Sequence, residues 1–285
     1  MQTRRLGNRQ VSAIGLGAMP MSIEGRPTDE SQSLRTIHAA LDAGITLIDT
    51  ADAYCLGSDE VGHNERLIAQ GLATYGGDTA DVLVATKGGH TRPGDGRWDL
   101  NGRPEYLKSA CEASLKALGV EAIGLYQFHR PDPRVPYAES IGAFADLLDA
   151  GKIQYAGISN ATVDQIEHAN AVLGGRLASV QNEFSPRFRS SEKELEYCAE
   201  VGVAFLPWSP LGGIGAAARL DRQHAAFGRI AEEHGVSPHQ VCLAWELAKA
   251  PVVLPIPGSK RPQTIADSAA AAELTLSPEE LAALG

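Results

Sequence analysis

Cysteine is scarce in this sequence, and the four residues present, Cys55, Cys111, Cys198 and Cys242, stand far apart without a CxxC pair. With no secretory segment ahead of them, they point to a reduced cytoplasmic setting in which each serves as small apolar filler. Long hydrophobic runs are missing too. None approaches the roughly 20 residues of a membrane helix, so no membrane partner is expected. The eight histidines share no HExxH or comparable ligand spacing, which leaves a metal without a site. Positive charge is in deficit, with 25 lysines and arginines against 35 acidic residues and a formal net charge of −10. A chain of that sign offers no basic stripe to nucleic acid or to an anionic membrane surface, and small molecules remain as its partners.

What is present is an ordinary globular composition, 44% hydrophobic and 21% charged, in 285 residues. That length suits a single domain over 1–285, and one α/β barrel of about 250 residues fits it. Apolar runs begin at positions 14, 45, 82, 123, 153, 177, 203 and 252, and helical spacing fills most of the gaps between them. Leu34, Ile37 and Leu41 make one stripe between Thr28-Asp29 and Gly44, while Pro104 opens and Gly119 closes a helix striped by Leu107, Cys111, Leu115 and Leu118. Further helices read over 64–74, 137–150, 163–172, 191–200, 223–234 and 238–249. Strand and helix alternating in this way predict a closed (β/α)8 TIM barrel rather than an open sheet. Ahead of it, Arg4–Leu6 and Val11–Ala13 around Gly7-Asn8 read as a β-hairpin that plugs the barrel floor. The glycines of Ile14–Met19 make no dinucleotide fingerprint, because Met19 and Pro20 fall where GxGxxG needs a helix start and a third glycine.

Several apolar runs stop on reactive side chains. Ile45–Ile48 ends at Asp49 with Tyr54 just beyond, the run from Val82 ends at Lys87, and Ile123–Phe128 ends at His129. In a barrel these strand ends share the rim where barrel enzymes keep their chemistry. Each residue alone has a structural explanation, as a turn cap, a loop aromatic, a solvated strand end or a helix-start histidine. Together they fit the reduction of a carbonyl. Hydride transfer leaves negative charge on oxygen, which calls for a proton donor and for hydrogen bonds where that charge develops. Tyr54 is the candidate acid, and an adjacent Lys87 ammonium would lower its reference pKa of about 10. Asp49 would keep Lys87 charged and fixed in a partly buried site, and His129 would orient the carbonyl as a neutral imidazole.

In order and context, Asp49, Tyr54, Lys87 and His129 resemble the catalytic tetrad of the aldo-keto reductases, of the bacterial type with a short C-terminal end. The resemblance runs from Arg4-Arg5-Leu6-Gly7 to the final helix. It includes Gly157-Ile158-Ser159-Asn160, Val180-Gln181-Asn182-Glu183, Trp208-Ser209-Pro210-Leu211-Gly212 and Pro255 through Arg261, each at a strand end. It implies a nicotinamide dinucleotide bound in extended form without a Rossmann domain. Ser159, Asn160 and Gln181 would hold the carboxamide and Trp208 would stack on the ring, which suits amide donors and acceptors and an aromatic face. Ser209, Leu211 and Gly213 would follow the pyrophosphate. Ser259, Lys260 and Arg261 would meet the adenosine phosphate near a helix start, which implies NADPH in preference to NADH. Here the sequence departs from many relatives. Gly258 replaces a lysine, Thr264 an arginine, and Asp267 and Ser268 stand for the usual acid and asparagine beside the adenine. Lys260 and Arg261 are expected to compensate.

Substrate specificity in a barrel lies in its loops. The long one, Gly88 to Arg103, carries His90, Arg92, Arg97 and Trp98. Met19, Met21, Tyr54, Trp98 and Trp208 are expected to form an apolar wall for an aromatic or hydrophobic aldehyde or ketone. With the chain ending at Gly285, an open mouth is expected. A monomer is the default expectation. Two other classes compete with an NADPH-dependent carbonyl reductase. A nicotinamide-nucleotide-sensing binding subunit would keep the tetrad but needs an interaction surface, and a hydrolase or lyase built on Asp49 and His129 would need neither Gln181 nor Trp208.

Overall fold

The computed structural model describes residues 1–213 and 215–285. An antiparallel hairpin, β1 (Thr3–Leu6) and β2 (Arg9–Ser12), opens the chain. It is followed by β3 (Leu16–Gly17), α1 (Glu30–Asp42), β4 (Leu47–Asp49), α2 (His63–Thr74) and β5 (Leu83–Gly88). A small hairpin of β6 (His90–Thr91) and β7 (Asp99–Leu100) interrupts the alternation before α3 (Pro104–Leu118), β8 (Ile123–Phe128), α4 (Tyr137–Asp149) and β9 (Ile153–Ser159). Then come α5 (Val163–Val172), β10 (Leu177–Gln181), α6 (Glu192–Val201) and β11 (Ala204–Phe205). The helices α7 (Leu220–Gln223), α8 (Ala225–His234), α9 (Pro238–Lys249), α10 (Pro262–Ala270) and α11 (Pro278–Leu284) complete the chain.

Seven strands pair in parallel in the order β11-β10-β9-β8-β5-β4-β3. The eighth position belongs to the run from Val252, predicted as a strand. It is extended and bridged rather than laddered, because Pro255 and Pro257 have no N–H to give. Phe205 N donates to Val252 O at 2.8 Å and Leu254 N to Phe205 O at 2.8 Å on one side. On the other, Gly15 N donates to Pro255 O at 2.9 Å and Gly17 N to Pro257 O at 3.0 Å, which closes the ring. This seam needs glycine, since a Cβ on Gly17 would lie 2.7 Å from the Ile256 carbonyl oxygen.

Side chains alternate between the two faces of each strand. Leu47, Leu83, Ala85, Leu125, Ala178, Leu206 and Leu254 fill the barrel interior with Leu6 and Val11, so the first hairpin does plug the floor. Ile48 and, on the facing helices, Ile37 and Leu67 pack in a layer outside the sheet, as do Tyr126, Phe128 and Ile158 against α3 to α5. The predicted caps hold where their chemistry is specific. Asp29 accepts from Ser31 N and Gly119 closes α3 in the left-handed region, and α5 gains a capping box of Thr162 with Gln165 that was not foreseen.

Candidate active site

The same alternation puts polar side chains on the axis where the apolar filling ends. After inward Leu47 comes Asp49; after Leu83 and Ala85, Lys87; after Leu125, Gln127 and then His129. All are buried. The Lys87 ammonium donates to Asp49 Oδ2 at 2.6 Å, to the Thr50 carbonyl at 2.8 Å and to the Tyr54 hydroxyl at 3.1 Å. Its three protons are thereby placed. Asp49 Oδ1 accepts from the side-chain amides of Gln181 at 2.8 Å and Gln127 at 3.4 Å. His129 meets Tyr54 edge-on, ring centroids 5.7 Å apart.

Burial works against the Lys87 ammonium, but Asp49 and Tyr54 outweigh it and hold Lys87 above its ordinary pKa. Tyr54 differs from the sequence-based expectation. Lys87 does pull its pKa down, but burial pushes harder in the other direction and Asp49 adds to it, so the phenol lies above its usual value. His129 is driven well below the usual range by burial, with His90, Lys87 and Arg130 adding to the effect, and is neutral. Its Nδ1 is buried without a hydrogen-bond partner. Behind the tetrad, burial pushes Asp52 well above the carboxylate range, and neighbouring Glu65 raises it further.

A cleft of about 660 Å³ runs over the rim from these residues to the N-terminus of α10. Asp49, Tyr54 and His129 line it, with Lys87 behind them. Every residue expected to hold the dinucleotide also lines it: Ser159, Asn160, Gln181, Trp208, Ser209, Leu211, Gly213, Gly258, Ser259, Lys260, Arg261, Thr264, Asp267 and Ser268. Several are already engaged. The Ser159 hydroxyl donates to the Gln181 carbonyl at 2.7 Å, Asn160 Nδ2 donates to the His129 carbonyl at 3.0 Å, and Gln181 spends an amide proton on Asp49. Asp267 accepts from Ser237 Oγ at 2.7 Å and Gln240 Nε2 at 2.6 Å, which ties it to the start of α9. The Lys260 ammonium is held by the Gly25 carbonyl, whereas among the described residues nothing pairs with the Arg261 guanidinium. Asn160 and Ser209 are the non-glycine residues with left-handed backbone among those described, at φ 57° and 52°. Both face this cleft, a placement typical of ligand clamps.

Of the three residues expected to bind substrate, Met19 and Trp98 line the cleft. Met21 does not. The 3-10 turn Met19–Met21 directs it into the layer with Leu16, Ile37 and Ile265, where it is 2% exposed. Sequence reasoning also passed over Thr50, whose contribution is a backbone carbonyl, and Gln127, a polar interruption at an inward position of β8 that period-two alternation could have flagged. Arg130 and His239 line the cleft unannounced. The loop 88–103, expected to be irregular, carries the β6-β7 hairpin, pairing His90 with Leu100 and Thr91 with Asp99.

Among the described residues no helix is long and apolar enough to cross a membrane. The chain is 35% identical to an uncharacterized oxidoreductase of Schizosaccharomyces pombe over 99% of its own length and 88% of that protein's. Its fold is similar to the thermostable aldo-keto reductase Tm1743 solved with the inhibitor epalrestat, with a TM-score of 0.84, 27% identity, and 100% and 98% of the two chains covered. It is also similar to an aldo/keto reductase from Klebsiella pneumoniae in complex with NADP and acetate, with a TM-score of 0.81, 27% identity, and 99% and 93% covered. A family model described as the aldo/keto reductase family matches residues 13–285, and this oxidoreductase-type barrel belongs to that family.

Proposed function

We propose that this chain reduces aldehydes or ketones to alcohols with NADPH as the hydride source and Tyr54 as the proton donor. The observation that carries this reading is the single Lys87 ammonium shared by a carboxylate and a phenol at the head of a long cleft. The residues present fit a dinucleotide. The strained backbones of Asn160 and Ser209 line the cleft, as does Trp208; among the described residues the buried Trp208 Nε1 and the Arg261 guanidinium at the cleft's far end have no partner. Ser159, Asn160 and the remaining amide oxygen of Gln181 would hold the carboxamide, with Trp208 against the ring. A bound nicotinamide supplies the hydride.

The rest is done by the protein. The phenol of Tyr54, held protonated at neutral pH, gives its proton to the oxygen as negative charge develops there. Lys87 stabilises the phenolate left behind, and Asp49, fixed by two glutamine amides, keeps that ammonium aimed. An orphaned acceptor is cheaper to bury than an orphaned N–H, so the bare lone pair of His129 belongs on Nδ1, leaving Nε2–H to hydrogen-bond the carbonyl. Preference for NADPH rests on Arg261 more than on Lys260, whose ammonium is engaged.

The test is NADPH oxidation by the purified protein with para-nitrobenzaldehyde. Tyr54→Phe is expected to lose about 10²–10⁴-fold in kcat while still binding NADPH; full activity in that variant would remove Tyr54 as the acid. Titration with both dinucleotides should give weaker binding of NADH, with the difference largely erased in Arg261→Ala. Equal affinities in the wild type would end the NADPH preference.

A further inference from the structure

The substrate end of the cleft carries charge that the reduction of a neutral carbonyl does not use. Arg92 follows β6 and Trp98 precedes β7, so they face each other across the hairpin. The Arg92 guanidinium lies against the Trp98 ring at 4.3 Å, with its side chain 1% exposed. Nη2 donates to the Leu56 carbonyl at 3.0 Å and lies 3.8 Å from Glu24, whereas Nε and Nη1 are buried with no partner among the described residues. A buried guanidinium left half-satisfied is costly, and such groups call for a reason. Trp98 in turn touches Tyr54, His90 and His129 edge-on, at 6.3, 5.4 and 6.5 Å. On the other side of His129, Arg130 is exposed, lines the cleft, and among the described residues makes no hydrogen bond or ion pair. Glu183 feels its field without forming an ion pair with it. Asp49 is taken up by Lys87 and Gln181, and Glu24 stands at the rim of Arg92's guanidinium without hydrogen-bonding it.

We propose that the substrate end is a subsite for carbonyl compounds that carry a carboxylate on an aromatic or apolar body. Trp98 and Met19 take the body, Arg130 takes the carboxylate directly, and Arg92 adds its field from beneath Trp98. The inference rests on the carbonyl-reductase reading. Guanidinium suits a carboxylate because its planar donors match the two oxygens.

The experiment pairs two aldehydes of one shape, 4-carboxybenzaldehyde and its neutral methyl ester, with NADPH as donor. The wild type is expected to favour the carboxylate in kcat/KM by about fivefold, the worth of a partly solvated ion pair, and less as salt rises. In Arg130→Met the ratio is expected to fall to about one, and Arg130→Lys to restore part of it. Arg92→Met should lower the wild-type ratio in part, and Arg130→Met decides the matter if that variant does not fold. Turnover of the ester with a wild-type ratio of one, or a ratio that survives Arg130→Met and high salt, overturns the subsite while leaving the reductase reading standing. Turnover of neither aldehyde, nor of para-nitrobenzaldehyde, removes the reading and the subsite together.

Discussion

Lys87 contributes to the active end in two separable ways, through the folded state of Asp49 and through the acidity of Tyr54. In Lys87→Met the Asp49 carboxylate stays buried with two amide donors and no cation, which is expected to cost about 3–5 kcal/mol of stability in denaturant unfolding. The pH profile isolates the second effect. Because the Tyr54 pKa is raised, the phenol is intact through neutral pH, so carbonyl reduction should be level there and decline only as pH rises through that pKa. Alcohol oxidation needs the phenolate and should rise over the same interval. Loss of Lys87 removes the charge that lowers Tyr54, so both limbs should move to higher pH; limbs that stay in place would mean that another group titrates. That Asp49, Tyr54, Lys87 and His129 meet was legible in the sequence because reactive side chains end apolar runs. The sign of the Tyr54 shift was not, since residue types report the ammonium beside the phenol but not the burial that outweighs it.

At the level of elements, the turn Met19–Met21 divides two methionines between cleft and core. Met21→Ala is expected to cost about 2–5 kcal/mol of stability with the Michaelis constant unchanged, as for other large-to-small core changes. Trp98→Ala should do the reverse, raising the Michaelis constant for aromatic aldehydes more than it lowers turnover. A variant pair showing the opposite pattern would return Met21 to the cleft. Helices were readable in advance to within a few residues because their apolar stripes are regular and Asp29, Pro104 and Gly119 carry cap chemistry. The β6-β7 hairpin was not, because two-residue strands of polar sequence have no periodicity to detect. The last strand was legible as an apolar run, but its prolines turn a ladder into isolated contacts.

For the molecule as a whole, the buried acids set how stability varies with pH. Glu246, on α9, is fully buried with both oxygens unpartnered, and burial pushes its carboxyl well above the usual range. A raised acid favours folding below the unfolded pKa of about 4.3, and that benefit is lost as pH climbs toward the folded value. Asp52 acts in the same direction. Glu246→Gln should therefore flatten the fall in Tm with rising pH, with about 2–4 °C gained for each kcal/mol relieved. An unchanged slope in calorimetry would show that Glu246 finds a partner in solution. The seam between Gly15–Gly17 and Pro255–Ser259 has a consequence for how the protein comes into being. The two sides of that junction stand near opposite ends of the chain, and the ring cannot close until synthesis has passed Ser259. A nascent chain held on the ribosome therefore carries Asp49, Tyr54, Lys87 and His129 long before it carries Ser259 to Ser268, and a complete cleft is a mark of nearly finished translation.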